Sequence, residues 1–241
     1  MKALILNSGL GSRMGVLTTE HPKCMTDISV RDSVLSRQLR LLAACGVRDV
    51  VMTTGYYDEV LVEYCSSLGL DLNYTFVKNP IYRDTNYIYS IYCARDVLRD
   101  EDILLLHGDL VFEEKVLRAS LATQESSMTV SSTLPLPEKD FKAVIREGRI
   151  EKVGIEFFDD AMAAQPLYKL QAKDWNVWLD RIVAFCESDR RKCYAEVAFN
   201  EVSHDCCIRP LDFAEALCAE VDTPDDLAVV SAWLARVDEN A

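Results

Sequence analysis

The sequence predicts an α/β fold in which a mainly parallel sheet is flanked by helices. Three observations carry this. Short apolar runs alternate with segments of helical period from Lys2 to His107, the first apolar run breaks into a glycine-bearing loop, and the later chain turns to strand-like runs separated by turn signals. Alternation of strand and helix implies right-handed crossovers, so ligands are expected beyond the carboxyl ends of the strands.

Taken in order, Lys2 to Asn7 reads as a buried strand. Asp32 to Cys45 reads as a helix, because Leu35, Leu39, Leu42 and Ala43 recur at helical spacing before a stop at Gly46. VRDVVMTTG forms a second buried strand, followed by a helix over Tyr57 to Leu68, a strand over Leu72 to Val77, a helix over Ile88 to Leu98 and the strand ILLLH. After about residue 126 the rhythm changes: MTVSSTL, FKAVIRE and RIEKVGIEF read as strands, with Glu147-Gly148 as a hairpin turn, and the region is expected to be a lobe appended to the sheet. Lys173 to Cys186 aligns Trp175, Trp178, Leu179, Ile182, Val183 and Cys186 on one helical face and is read as core. The last helix is placed over Pro224 to Val237, with Asp225 and Asp226 near its positive end, and the tail DENA is expected to fray. With no internal repeat and no low-complexity linker, 1–241 is expected to form a single domain.

The chain has 241 residues, enough to bury a core without staples. A formal net charge of −13 argues against nucleic acid as a partner, since phosphate backbones are held by surplus Lys and Arg. No stretch approaches the roughly 18 uninterrupted apolar residues of a membrane span, and the N-terminus lacks the basic head of a signal peptide, so a cytoplasmic protein with no membrane partner is expected. Nine scattered cysteines with no C-x-x-C pair signal neither a disulfide framework nor a zinc site, and are expected mostly in the core.

The opening loop spaces its third glycine one residue beyond a dinucleotide-binding G-x-G-x-x-G. The second strand also ends Thr53-Thr54-Gly55, without the acid that would take ribose hydroxyls. A Walker loop fails too, for Gly15-Val16-Leu17 stands where Gly-Lys-Ser/Thr is needed. What remains is a longer loop from Asn7 to Lys23, in which glycines let backbone N–H groups crowd round phosphate oxygens while Arg13 and Lys23 add positive charge. The alternative is a turn with two surface cations. Asp109 follows a buried strand and Asp222 stands at a strand-to-helix junction. If both reach the mouth of the loop they can hold a divalent cation, and otherwise each is a turn or cap residue.

LNSGLGSRMG…HPKCM, VMTTGY, HGDLVF and EVDTPDDL together resemble the sugar-1-phosphate type of nucleotidyltransferase, in that family's order. NPIYRDTNYIYSIYCA is similar to the cytidylyltransferases acting on small aminoalkyl phosphates, of the phosphocholine type. TLPLPEKDFKAV, VGIEFFDDA, AQPLYKL and CYAEVAFNEVS resemble the branch that activates 2-aminoethylphosphonate. The resemblance implies a Rossmann-like, mainly parallel mixed sheet with a small inserted β/α lobe: a nucleotide-binding part over about 1–125, an acceptor-binding lobe over about 126–210 and a closing strand and helix over about 211–238. It also implies transfer from CTP with release of pyrophosphate, Mg²⁺ as cofactor, and a fused or partner transaminase. Phosphocholine is the alternative acceptor, with a sugar-1-phosphate enzyme or a non-catalytic nucleotide-binding module behind it.

Carried over residue by residue, the resemblance implies that Asn7, Ser8, Gly9, Gly11 and Ser12 cradle the nucleotide, that Arg13 and Lys23 act on its phosphates and that Tyr56 lies along the base. Asp109 and Asp222 match the metal ligands, and Glu220 would share the strand face of Asp222. Where the family often reads D-x-D this chain has His107-Gly108-Asp109, which leaves His107 as a structural residue or an outer donor. For the acceptor, Lys142 is the candidate for the anionic head. Asp159, Asp160 and Glu196 are candidates for a primary ammonium, and Tyr89 for an aromatic wall; a strand lysine, a polar turn and helix packing are their plainer readings.

Overall fold

The computed structural model describes residues 1–9 and 11–238, except the side chains of Ser12, Val16 and Asp238. The nucleotide-binding role expected of the Ser12 side chain, and the fraying expected over the last residues, lie outside the described part.

The first half alternates as the sequence predicts: β1 (Lys2–Leu6), α1 (Val34–Ala44), β2 (Asp49–Thr54), α2 (Asp58–Ser67), β3 (Asn73–Lys78), α3 (Tyr87–Leu98) and β4 (Ile103–His107). Helix α1 starts two residues later than expected because Ser33 caps it. The Ser33 hydroxyl accepts from the Ser36 amide and the Ser36 hydroxyl accepts from that of Ser33. There follow β5 (Leu110–Phe112), α4 (Glu114–Ala122), β6 (Ser126–Ser131), β7 (Lys142–Arg146), β8 (Arg149–Gly154), β9 (Ala161–Leu170), α5 (Ala172–Glu187), α6 (Ala195–Val202), β10 (Ile208–Asp212), β11 (Cys218–Glu220) and α7 (Pro224–Asp238).

Among the described residues a nine-stranded sheet runs β10-β6-β9-β4-β1-β2-β3, with β7 and β8 branching from β9. The strands from β3 to β4 are parallel, and β9 is antiparallel to both β4 and β6. β6, β9 and β10 therefore continue the sheet itself, while the β7–β8 hairpin projects from it around Glu147 and Gly148, both at positive φ as a tight hairpin turn requires.

Alternate strand residues feed two cores. Leu4, Val51 and Leu105 face α3, α5 and α6, where Trp175 and Trp178 are fully buried, whereas Ala3, Ile5, Met52 and Leu106 face α1, α2 and α4. A third cluster of Met14, Val111, Leu217, Val230 and Leu234 packs α7 over β5, β11 and the N-terminal loop. The described cysteines are free, and five of the nine are buried. No described helix is long and apolar enough to cross a membrane.

The register puts the carboxyl ends of three strands side by side, for Leu6 is opposite Thr53 on one flank and His107 on the other. The chain leaving β1 therefore runs between the ends of β2 and β4. Gly55 is required there, since a Cβ would stand 2.4 Å from the Ser8 carbonyl oxygen. Gly55→Ala is expected to cost about 1–3 kcal/mol in urea unfolding by forcing the Ser8 backbone away. Gly9→Ala, with nothing within 4 Å of its Cβ, is the stability control.

Candidate active site

The site is built where α1 and a two-stranded ribbon meet the loop. Gln38, buried on α1, donates through Nε2 to the carbonyls of His107 (2.9 Å) and Leu110 (2.7 Å), and so holds the His107-Gly108-Asp109 turn that ends β4. The ribbon pairs β5 antiparallel to β11, with Glu220 opposite Leu110, and the Val221 amide then donates to the Asp109 carbonyl at 2.9 Å. Continuing that register puts Val221 opposite Asp109, with Asp222 the next residue along, and the two acids are joined through Lys23. Thr223 and Asp226 close the first turn of α7 reciprocally, the Thr223 amide donating to Asp226 Oδ2 at 2.8 Å and the Asp226 amide to Thr223 Oγ1 at 3.3 Å. The junction carrying Asp222 is thereby fixed in place.

Lys23 binds both acids. Its ammonium stands 2.5 Å from Asp109 Oδ2 and also donates to Asp222 Oδ1, while Arg13 Nη2 donates to that same Asp222 oxygen at 2.9 Å. Lys23, Asp109 and Asp222 are all recessed, but the Arg13 side chain is 66% exposed and reaches in from the rim. Beside them Glu220 Oε1 accepts from His107 Nδ1 at 2.9 Å, and the donor atoms of His107, Asp109 and Glu220 all lie within 4.8 Å of one another.

Electrostatics follow from this crowding. Burial pushes the Asp109 carboxyl upward, but Lys23 and His107 more than offset it and hold the group below the usual carboxylate range. Burial first, and then the charge of Asp109, pushes Glu220 up to about 7, its bond to His107 offsetting only part of the shift. Burial pulls His107 down, yet the hydrogen bond to Glu220 and the charges of Glu220 and Asp109 raise it overall. Asp109 Oδ1 and His107 Nε2 are buried and have no hydrogen-bond partner.

Three cavities meet at Asp109. One of about 260 Å³ is lined by Asn7, Gly9, Gly11, Arg13, Lys23 and Asp109. A second, about 340 Å³, is lined by Ser8, Gly9, Tyr82, Arg83, Tyr87 and Asp109 among others. The third, about 320 Å³, has Asn86, Tyr87, Lys139, Asp140, Phe141 and Tyr194 in its walls, with His107, Glu220 and Asp222 at its floor. Ser8 is fixed by a 2.5 Å hydroxyl contact to Ser90 on α3. Tyr56 is exposed at the rim, 6.4 Å from the ring of Tyr82, with the Arg83 guanidinium over it.

The loop residues, both cations and the acids Asp109, Asp222 and Glu220 are thus brought together, and His107, expected as a structural residue or an outer donor, joins them through its bond to Glu220. The acceptor candidates need correction. Lys142 is fully buried and donates to the carbonyls of Pro137 (2.5 Å) and Asp140 (3.2 Å), so its ammonium is committed within its own loop. Asp159 and Asp160 are exposed on the turn before β9, outside the third cavity's lining, and Asp160 takes a positive φ. Tyr89 stacks on Tyr92 at 5.4 Å on the flank of α3, and Glu196 lies buried behind the cavity wall. The residues that do line the third cavity include Lys139, Asp140, Phe141, Tyr87 and Tyr194, which lie in the segments TLPLPEKDFKAV, NPIYRDTNYIYSIYCA and CYAEVAFNEVS without standing out within them.

A model of the MobA-like NTP transferase domain matches residues 3–136. The CMP-5'-(3-aminopropyl)phosphonate synthase of Streptomyces rubellomurinus is 32% identical over 164 residues, 68% of this chain and 25% of that protein. The CTP:phosphoglutamine cytidylyltransferase of Campylobacter jejuni is 27% identical over 139 residues, 55% of this chain and 53% of that protein. The chain thus spans between a quarter and about half the length of these curated relatives. The solved structure of a CTP:phosphocholine cytidylyltransferase from Streptococcus pneumoniae superposes with a TM-score of 0.76 at 17% identity, covering 97% of this chain and 98% of that one, a likeness of fold. The matched segment takes in more than half of the chain, from β1 and its glycine loop through Lys23 and Asp109, and the chain belongs to the MobA-like NTP transferase domain family of nucleotidyltransferases.

Proposed function

We propose that the chain transfers a cytidylyl group from CTP to 2-aminoethylphosphonate, forming CMP-aminoethylphosphonate and pyrophosphate. The observation that carries this reading is the meeting of Lys23, Arg13, Asp109 and Asp222 at one point beside the loop from Asn7 to Gly11. In it, residues of about 1–125 take the nucleotide, those of about 126–210 the acceptor, and those of about 211–238 complete the metal site. The 32% identity to a CMP-aminopropylphosphonate synthase supports a phosphonate bearing an amine as acceptor.

The reaction is an in-line displacement. An acceptor oxygen forms a bond to the α-phosphorus of CTP, the bond from that phosphorus to the bridging oxygen breaks, and pyrophosphate leaves with the electron pair. The attacking oxygen is already anionic at neutral pH, so no side chain has to remove a proton. Positioning and charge neutralisation are the tasks left to the protein. Lys23 suits a point charge on the phosphoryl group in transfer, and Arg13 a forked grip on phosphate oxygens. The unpartnered, buried Asp109 Oδ1 and the hard oxygen of Glu220, clustered with His107, fit a divalent cation, and Asp222, whose Oδ1 takes Lys23 and Arg13, would complete the set through its other oxygen. Mg²⁺ held there would neutralise charge on the triphosphate.

For the acceptor, Lys139 replaces Lys142 as the group for the anionic head. Asp140 serves the ammonium tail: burial, with Asp222 and Asp226 nearby, pushes its carboxyl up, and a bound cation would relieve that. One observation favours phosphocholine as a second reading. Phe141 and Tyr194 stand 5.3 Å apart edge to face and Tyr87 lies 5.8 Å from Tyr194, aromatic walls of the kind a quaternary ammonium prefers.

Pyrophosphate release with Mg²⁺ tests both, crossing the four nucleoside triphosphates against 2-aminoethylphosphonate, phosphocholine, phosphoethanolamine and glucose-1-phosphate. CTP with 2-aminoethylphosphonate is expected to be fastest; phosphocholine in first place moves the assignment to the second reading, and a preference for the sugar overturns both. Asp109→Ala is expected to abolish turnover and to weaken metal-dependent CTP binding in calorimetry, and wild-type activity in that variant removes Asp109 from the metal site. Lys23→Met is expected to lower kcat by about 10²–10³-fold with little change in the KM for CTP. A rise in KM alone would assign Lys23 to ground-state binding.

A further inference from the structure

Glu196 stands behind the wall of the acceptor cavity. It is in the first turn of α6 and is 1% exposed, and among the described residues it forms no ion pair. Its two carboxylate oxygens accept from two phenols instead, Tyr87 on one and Tyr168 on the other, the latter at 2.9 Å. A carboxylate buried without a cation is costly, and an apolar side chain could fill that space with no such cost. The polar group therefore calls for an account in terms of what it holds.

What it holds is a ring at the cavity. Tyr87 opens α3 beside its capping residue Asn86; its ring meets that of His107 edge to face at 4.8 Å and forms part of the wall of the second and third cavities. Burial and the adjacent Glu196 keep the Tyr87 phenol protonated, so it remains a donor. The other arm of Glu196 is anchored in the core, because Tyr168 is buried on β9 with its ring 5.4 Å from that of Trp178. The Trp178 indole in turn donates to the Ala195 carbonyl at 2.9 Å, next in sequence to Glu196. The start of α6 thus carries both a wall residue, its capping Tyr194, and Glu196, the strut behind the neighbouring wall residue Tyr87.

We propose that Glu196 is a positioning residue for the acceptor: by tying Tyr87 to the Tyr168–Trp178 core it holds the Tyr87 ring against His107, and so sets the width of the acceptor cavity without touching the acceptor. This rests on the acceptor reading given above for the third cavity.

The test uses the full chain, with one readout of geometry and one of kinetics. The nuclear Overhauser contact between the Tyr87 and His107 rings is expected in the wild type and in Glu196→Gln, which keeps an oxygen to accept from Tyr87, and is expected to vanish in Glu196→Ala. In pyrophosphate release, Glu196→Ala and Tyr87→Phe are each expected to raise the KM for the preferred acceptor of 2-aminoethylphosphonate and phosphocholine by about tenfold, the worth of one such interaction. The KM for CTP stays within about twofold, Glu196→Gln restores most of the loss, and the double variant adds little to either single one. A ring contact that survives in Glu196→Ala overturns the strut. Loss of the contact with both KM values rising together, or additive effects in the double variant, overturns its role in acceptor fit. If the wild type turns over neither acceptor, the functional reading fails, while the ring contact still decides whether Glu196 positions Tyr87.

Discussion

The Lys23 ammonium, held between Asp109 and Asp222, is the contact on which the rest of the site depends. Two carboxylates brought together in a recess repel one another, and a third, Glu220, lies close by with its proton affinity raised. The cation between them lets the acids be recessed at all. Its removal leaves charge uncompensated, a loss of about 3 kcal/mol, at the low end for a buried pair because each side chain keeps some exposure to water. The same cation ties the N-terminal loop to the β5–β11 ribbon and to the start of α7, so electrostatics and fold are joined at a single atom.

Rigid surroundings serve this contact. Gln38 clamps the turn after β4 from one side, the ribbon supplies Asp222 from the other, and α7 closes over both through Met14, Val111, Leu217 and Leu234. Side chains mounted on strand ends and capped helix starts keep their geometry better than those on long loops. The third cavity, the proposed acceptor side, is built differently. Its walls come from the start of α3, the segment before β7 and the start of α6, three places remote in sequence that converge through aromatic packing.

Parts of the architecture resisted reading for identifiable reasons. β9 contains Gln165 and Pro166, which argue against a central strand, yet the register with β6 shifts between Met128 and Val130 where Pro166 falls, and Thr129 Oγ1 donates to the Gln165 carbonyl instead. β5 is three residues, too short for a period to register. β10 carries Pro210 and lies at the edge of the sheet, where a missing amide donor costs least. His107 was legible as a polar residue ending a strand, but only its bond to Glu220 draws it into the cluster.

From the amino-acid order alone came the alternation of β1 to β4, the glycine loop, the pair Arg13 and Lys23, and the acids Asp109 and Asp222, because each is encoded locally by period, turn chemistry or position after a strand. The lining of the third cavity was decided by tertiary structure. Lys142 and Lys139 sit three positions apart in one polar stretch, and nothing in their spacing says which will be absorbed by the carbonyls of its own loop and which will face the cavity. Glu196 and Tyr87, likewise, become neighbours only when α3 and α6 both pack on α5, and long-range packing of that kind leaves no periodic trace in the sequence.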